Sequence, residues 1–167
     1  MSILQITDFD NGRFKIPTNS FQDLDLEDYI NKYERYYLPL LFGVELYELF
    51  EANLVAGVPT SQRFLDVFNS FLLQSECDYC NSEGMKEMMK GFVYFHYTRD
   101  TFTRNTTNGV KQTISENSVS LDTVSADLTT RYNESVNTFS CIQRKMCLDS
   151  ETYPEYEGLE LENVLLI

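Results

Sequence analysis

From Asp25 onward, apolar residues recur every three or four positions, the spacing of one face of a helix. Leu26, Tyr29, Ile30, Tyr33, Tyr37 and Leu40 predict a first helix, with Asp25 as its cap and Pro39 as a break or kink. After Gly43, Leu46, Leu49, Phe50 and Leu54 share a second helical face against Glu45, Glu48 and Glu51, until Gly57 and Pro59 stop the run. With Thr60 as cap, Phe64, Val67, Phe68, Phe71 and Leu72 fit the helical template at every step and predict a third helix. The stretch from Glu76 to Gly84 is polar and turn-like. Met85, Met88, Met89, Phe92, Val93 and His96 then mark a fourth helix, and Tyr94, Phe95 and Tyr97 add bulk on its other faces, so it is expected to be the most buried.

Thr101 to Ser120 is rich in Thr, Asn and Ser, with Asn108-Gly109 as a turn signal before the β-favouring Val110 to Ile114, and predicts a hairpin or protruding loop. The last long element runs from about Asp122 to Leu148, where Val124, Leu128, Tyr132, Val136, Phe139, Ile142 and Met146 form a single apolar stripe. The expected fold class is therefore all-α, a bundle of about five helices with a protruding hairpin or loop and extended terminal arms. The expected divisions are an arm over 1–20, a helical domain over 21–150 whose loop spans 101–120, and an acidic tail over 151–167. The tail ends in Val164-Leu165-Leu166-Ile167, an apolar run on an acidic linker, which reads as a docking peptide.

Composition narrows the class further. The 167 residues are 43% hydrophobic and include 12 Phe and 11 Tyr, too apolar for a disordered chain and enough for one core. Thirteen Lys and Arg face 26 Asp and Glu, a net charge of −13, which disfavours tight binding to nucleic acid. No basic leader followed by an apolar stretch opens the sequence, and its longest uncharged, largely apolar run, Tyr36 to Val44, is far short of the ~20 residues of a membrane span. A soluble, intracellular protein is expected, with Cys77, Cys80, Cys141 and Cys147 as reduced thiols.

Candidate chemistry is sparse. Cys77-Asp78-Tyr79-Cys80 has the spacing of a zinc knuckle or redox pair, but Cys141 and Cys147 lie six apart on a predicted helix and do not complete a site. His96 is the single histidine; Asp100, one turn on, is expected to form a local hydrogen bond with it. The carboxylates Glu45, Glu48 and Glu51 read as a hydrated face, and no glycine-rich phosphate loop occurs. The Met85, Met88 and Met89 cluster reads as core, and Lys86, Lys90, Arg99 and Arg104 form the one local basic concentration, either simply solvated or suited to the acidic tail of a neighbouring copy. No catalytic, cofactor-binding or metal-binding residues, and hence no enzymatic activity, are expected.

The run Tyr36-Tyr37-Leu38-Pro39-Leu40-Leu41-Phe42-Gly43-Val44-Glu45-Leu46-Tyr47, followed by Gly91-Phe92-Val93-Tyr94-Phe95-His96-Tyr97 and the Asn108-Gly109-Val110 loop, resembles the small head-tail connector proteins of tailed bacteriophages, particularly crAss-like phages. The resemblance covers about residues 21 to 150 and does not place the acidic tail. It implies a structural virion protein, about twelve copies to a ring with heterologous contacts, joining portal and capsid to the tail and lining the DNA channel. An acidic lumen suits such a channel, because like charge lets DNA pass without specific binding. The implied partners are further copies of the chain, the portal protein and other connector or tail proteins, with no membrane. The implied location is the head-tail interface of the virion, after synthesis in the bacterial cytoplasm. The interface residues expected on this reading are Asn108, Gly109, Val110 and Ile114 of the loop, and Tyr153, Tyr156, Leu159, Leu161, Val164, Leu165, Leu166 and Ile167 of the tail. Two other readings compete: an acidic inhibitor or DNA mimic acting on a DNA-binding enzyme, which needs carboxylates in a phosphate-like array, and a small metal or redox enzyme built on Cys77 and Cys80.

Overall fold

The computed structural model describes residues 2–16, 20–75, 78–106, 109–112 and 121–161. Five helices carry the core: α1 (Ser20–Phe42), α2 (Val44–Ala52), α3 (Gln62–Phe68), α4 (Met85–Phe102) and α5 (Leu121–Leu148). Between them lie three antiparallel two-stranded ladders, β1 (Leu54–Val55) with β2 (Val58–Pro59), β3 (Phe71–Ser75) with β4 (Asp78–Ser82), and β5 (Thr103–Thr106) with β6 (Gly109–Gln112). The all-α expectation is thus corrected to a mixed, mainly helical fold.

The correction has local causes. Leu54 continues the α2 spacing, but Ala56 and Gly57 both adopt positive φ, and two such residues between Leu54–Val55 and Val58–Pro59 make a tight hairpin turn. Phe71 and Leu72 continue the α3 spacing, but Asn69 is extended and releases the chain into β3. There Leu72 is exposed while Phe71 packs on the core, so the pair fits the alternation of a strand. The polar stretch expected as turn pairs with it as β4, from Phe71↔Ser82 to Ser75↔Asp78. The loop between α4 and α5 contains the expected hairpin, with Thr106 opposite Gly109; Asn108 and Ile114 lie outside the described residues. α1 begins at Ser20, ahead of the expected cap at Asp25, and Pro39 lies within it rather than ending it.

α4 is the central helix, with Met85, Met88, Met89, Phe92 and Val93 buried. It packs antiparallel to α1 through an aromatic seam: Tyr29 meets Tyr97 edge-on, Tyr33 stacks on His96 at 3.9 Å between ring centroids, and Tyr37 stacks on Phe92 at 4.0 Å. On the other flank Phe92 meets Phe139 and Phe95 meets Tyr132, which places α5 antiparallel to α4. The N-terminal arm belongs to this core. Ile3, Leu4, Phe9, Phe14 and Ile16 are buried, and the Glu34 carboxylate of α1, only 5% exposed, accepts the backbone N–H groups of Ile3 and Leu4 and the Ser2 hydroxyl.

The reduced-thiol expectation is also corrected. Cys80 of β4 and Cys141 of α5 form a disulfide across 61 residues of chain, tying the β3–β4 ladder to α5; Cys147 is free and exposed. Closing a loop of that length in the unfolded chain corresponds to about 4 kcal/mol on the chain-entropy account. Replacing both Cys80 and Cys141 with serine is expected to lower unfolding stability by about 2 to 4 kcal/mol, read from the urea midpoint under non-reducing conditions. An unchanged midpoint would mean that the bond does not constrain the chain.

Candidate functional site

Two features of the described surface are built to receive something: the end of α1, already occupied by the chain's own tail, and an open cleft beside it. A helix leaves its last four carbonyls without helical donors. At the end of α1 the Pro39 carbonyl accepts Gly43 N–H at 2.9 Å, a turn that needs the positive φ of Gly43. The Phe42 carbonyl accepts Glu157 N–H at 3.3 Å and the Leu40 carbonyl accepts Leu159 N–H at 2.7 Å. The Gln143 amide of α5 adds bonds to the Leu40, Leu41 and Leu159 carbonyls. Residues 153–161 therefore form a strap that caps α1 and lies in the groove between α1 and α5. Gly158 fits because it has no side chain: a Cβ there would collide with the Leu41 carbonyl and stand 2.7 Å from the Gln143 amide nitrogen.

The strap accounts for four of the twelve expected interface residues, Tyr153, Tyr156, Leu159 and Leu161. Tyr153 is 2% exposed and its hydroxyl donates to the Arg63 carbonyl at 2.5 Å, while Arg63 pairs with Glu155 at 3.3 Å. Tyr156 and Leu161 pack against the core, and Leu159 is held by its backbone with its side chain 61% exposed. Burial pushes the phenols of Tyr153 and Tyr156 up to about 12, so both stay neutral in any ordinary buffer. Gly109 and Val110 sit on β6, remote in sequence from the strap. Val164, Leu165, Leu166 and Ile167 lie outside the described residues.

Between α1 and α4 is a cleft of about 770 Å³ lined by Lys32, Tyr33, Arg35, Tyr36 and Tyr37 of α1, Phe95, His96 and Arg99 of α4, and Tyr132 of α5. Its floor is aromatic and its rim cationic. Lys32 lies over the Tyr33 ring at 5.0 Å, and Arg99 over the Phe95 ring at 5.7 Å. Tyr36 is 56% exposed, unusual for an aromatic side chain in a chain with so full a core. Asp100 accepts from Arg99 at 2.8 Å and from Tyr29 at 3.0 Å. Burial raises the Asp100 pKa, but those two bonds more than offset it and the carboxyl ends below its usual range.

The expected His96 to Asp100 bond is not formed. His96 Nε2 instead meets the Tyr37 hydroxyl at 2.8 Å, and Nδ1 is buried without a hydrogen-bond partner. Burial, aided by the Arg99 charge, lowers the His96 pKa to about 4, so the imidazole is neutral at pH 7. Among the described residues its hydrogen-bond partner is the Tyr37 hydroxyl and its ring neighbours include Tyr33 and Phe95, surroundings suited to binding chemistry. Among the described residues no three His, Cys, Asp or Glu side chains gather as metal ligands, and the Cys80–Cys141 bond removes Cys80 from any Cys77–Cys80 pair. The expected basic concentration is dispersed: Lys86 pairs with Asp8, Lys90 with Glu87 and Arg99 with Asp100. Sequence reasoning missed the cleft because its cations come from two helices some sixty residues apart.

No protein-family model, curated protein or solved structure matches this chain.

Two outcomes follow from this geometry. Gly158→Ala is expected to lift the strap from α1 and cost about 1 to 3 kcal/mol of stability in denaturant unfolding; a cost near zero would show that the strap does not hold the helix end. The folded His96 pKa of about 4 lies below its ordinary 6.5, so unfolding takes up a proton between those values. The His96 contribution is complete above pH 6.5 and is lost as pH falls toward 4. His96→Phe is expected to flatten that part of the stability profile, and an identical slope in the variant would refute the assignment.

Proposed function

We propose that the chain is a non-enzymatic structural subunit of a bacteriophage virion, a head-tail connector that assembles with copies of itself, about twelve to a ring, between portal and tail. The observation that carries this reading is the β5–β6 hairpin. It extends the antiparallel α4–α5 pair, and its principal contacts within the chain are between its own strands and with the end of α4. A two-stranded hairpin is marginal by itself in water, and on this proposal the surface that steadies it belongs to another molecule. The net charge of −13 supports the same reading, because a ring of such subunits would repel the DNA it conducts. On this proposal the hairpin, with Asn108, Gly109, Val110 and Ile114, meets a neighbouring copy, the portal protein or another connector or tail protein. The protein is made in the bacterial cytoplasm and resides at the head-tail interface.

The test is the native mass of the purified chain, alone and mixed with the portal of the same source. A ring-sized species, or a monomer that joins the portal complex, is expected, and Val110→Asp is expected to weaken that association at least about tenfold, about 1.4 kcal/mol, without shifting the melting temperature. A monomer that ignores the portal and displaces DNA from a DNA-binding enzyme would replace this reading with that of an acidic inhibitor.

A further inference from the structure

Charge is unevenly placed on this molecule. Acidic residues outnumber basic ones by 26 to 13, yet the cleft between α1 and α4 is lined by Lys32, Arg35 and Arg99 and, among the described residues, by no carboxylate. Lys32, Arg35 and Tyr36 stand at i, i+3 and i+4 and share one face of α1; Phe95 and Arg99, four apart, share the facing side of α4. Each wall therefore supplies both a ring and a cation. Beyond burial, the charges of Arg99 and Lys32 both bear on His96, so the cations of the two helices converge on the same part of the cleft. Arg99 is ion-paired with Asp100 at 2.8 Å, while among the described residues no carboxylate comes within ion-pair distance of Lys32 or Arg35. Three cations less one carboxylate leave two positive charges at the rim.

The rings are open in different degrees. Tyr36 is 56% exposed, and its edge-to-face contact with Tyr37 at 4.9 Å fixes the ring while leaving more than half of it open. Phe95 is half-buried, whereas Tyr33, buried and stacked on His96, backs the cleft rather than offering a contact surface. An exposed aromatic face beside converging cations recognises a flat ring that carries an anionic group. A volume of about 770 Å³ falls within the roughly 300 to 1,000 Å³ of small-molecule sites.

We propose that the cleft binds a phosphate monoester carried on a planar ring, a mononucleotide or an aryl phosphate, with the ring against Tyr36 and Phe95 and the phosphate between Lys32, Arg35 and Arg99. The charge count favours phosphate over carboxylate, because a monoester carries about −1.5 to −2 at pH 7 and so matches the rim. Arg35 and Arg99 bring forked N–H donors that suit its three oxygens. His96, neutral and bonded to Tyr37, adds no charge. The net charge of −13 does not forbid such a ligand: charges farther away than about 8 Å are largely screened at physiological ionic strength, so the ligand meets the local excess. The inference stands whether or not the chain forms a ring.

The test is titration calorimetry of the full-length chain with adenosine monophosphate, phenyl phosphate, adenosine and inorganic phosphate. Both esters are expected to bind with dissociation constants below about 1 mM and at least about tenfold more tightly than adenosine or phosphate. Arg35→Glu is expected to weaken the esters at least about tenfold, and Tyr36→Ala several-fold; both side chains are exposed, so melting temperatures should stay close to that of the unaltered chain. Lys15→Glu, the same change of charge at an exposed residue outside the cleft, is expected to leave binding within about twofold. A stronger hold on adenosine monophosphate than on phenyl phosphate would assign the site to nucleotides, and equal affinities to aryl phosphates in general; either supports the proposal. Four outcomes would overturn it: no heat with either ester, adenosine bound as tightly as its monophosphate, equal losses in Lys15→Glu and Arg35→Glu, or ester binding that neither cleft variant disturbs. None of them bears on the native-mass experiment, so the two readings fail separately.

Discussion

Buried backbone groups must be paired, and α1 meets that demand at its C-terminal end and again at Glu34. Its last turn lies in the interior, with Leu41, Phe42 and Gly43 buried, so water cannot serve the carbonyls that the helix leaves open. They are served by the far end of the chain, through Glu157 and Leu159, and by Gln143 of α5. Earlier in the same helix the Glu34 carboxylate does the converse, accepting N–H groups that the N-terminal arm cannot pair with itself. Both terminal segments are therefore fixed by α1.

The parts of this architecture that could be read from sequence are those whose partners are local. α4 and α5 announce themselves because Met85, Met89, Phe92 and His96, or Tyr132, Val136, Phe139 and Ile142, must share a face regardless of what covers it. Helical spacing misled where a short helix hands over to a strand. Phe71 and Leu72 fit α3 by count, yet the extended conformation at Asn69 sends them to opposite faces of β3. β4 was illegible for a different reason. Asp78 to Ser82 carries no alternating apolar pattern, because its place is secured by the ladder to β3 and by the Cys80 bond to α5. A disulfide pairing of this kind has no local signal at all.

The strap and the cleft were illegible because each depends on a long-range partner. A segment that hydrogen-bonds to helix-end carbonyls needs neither strand alternation nor helical period, and 153–161 has neither. Its aromatic residues, which look like anchors for another molecule, are in Tyr153 and Tyr156 anchors to this one. The hairpin between α4 and α5 is the opposite case. Its turn signal is local and was readable, and the ladder it closes pairs Thr106 with Gly109.

Electrostatics separates these two elements by role. Most cations of the described chain are spent close to home: Arg13 on Glu83 and Glu134, Lys86 on Asp8, Arg63 on Glu155. Such half-exposed pairs contribute only about 0 to 1 kcal/mol each, so their effect is less to stabilise than to place. They hold the arm against α4 and α5 and the strap against α3. Outside the cationic rim of the cleft the balance is acidic, and repulsion between acidic surfaces opposes association unless some contact is desolvated enough to overcome it. An assembly of these chains must therefore rely on a few uncharged elements rather than on broad faces.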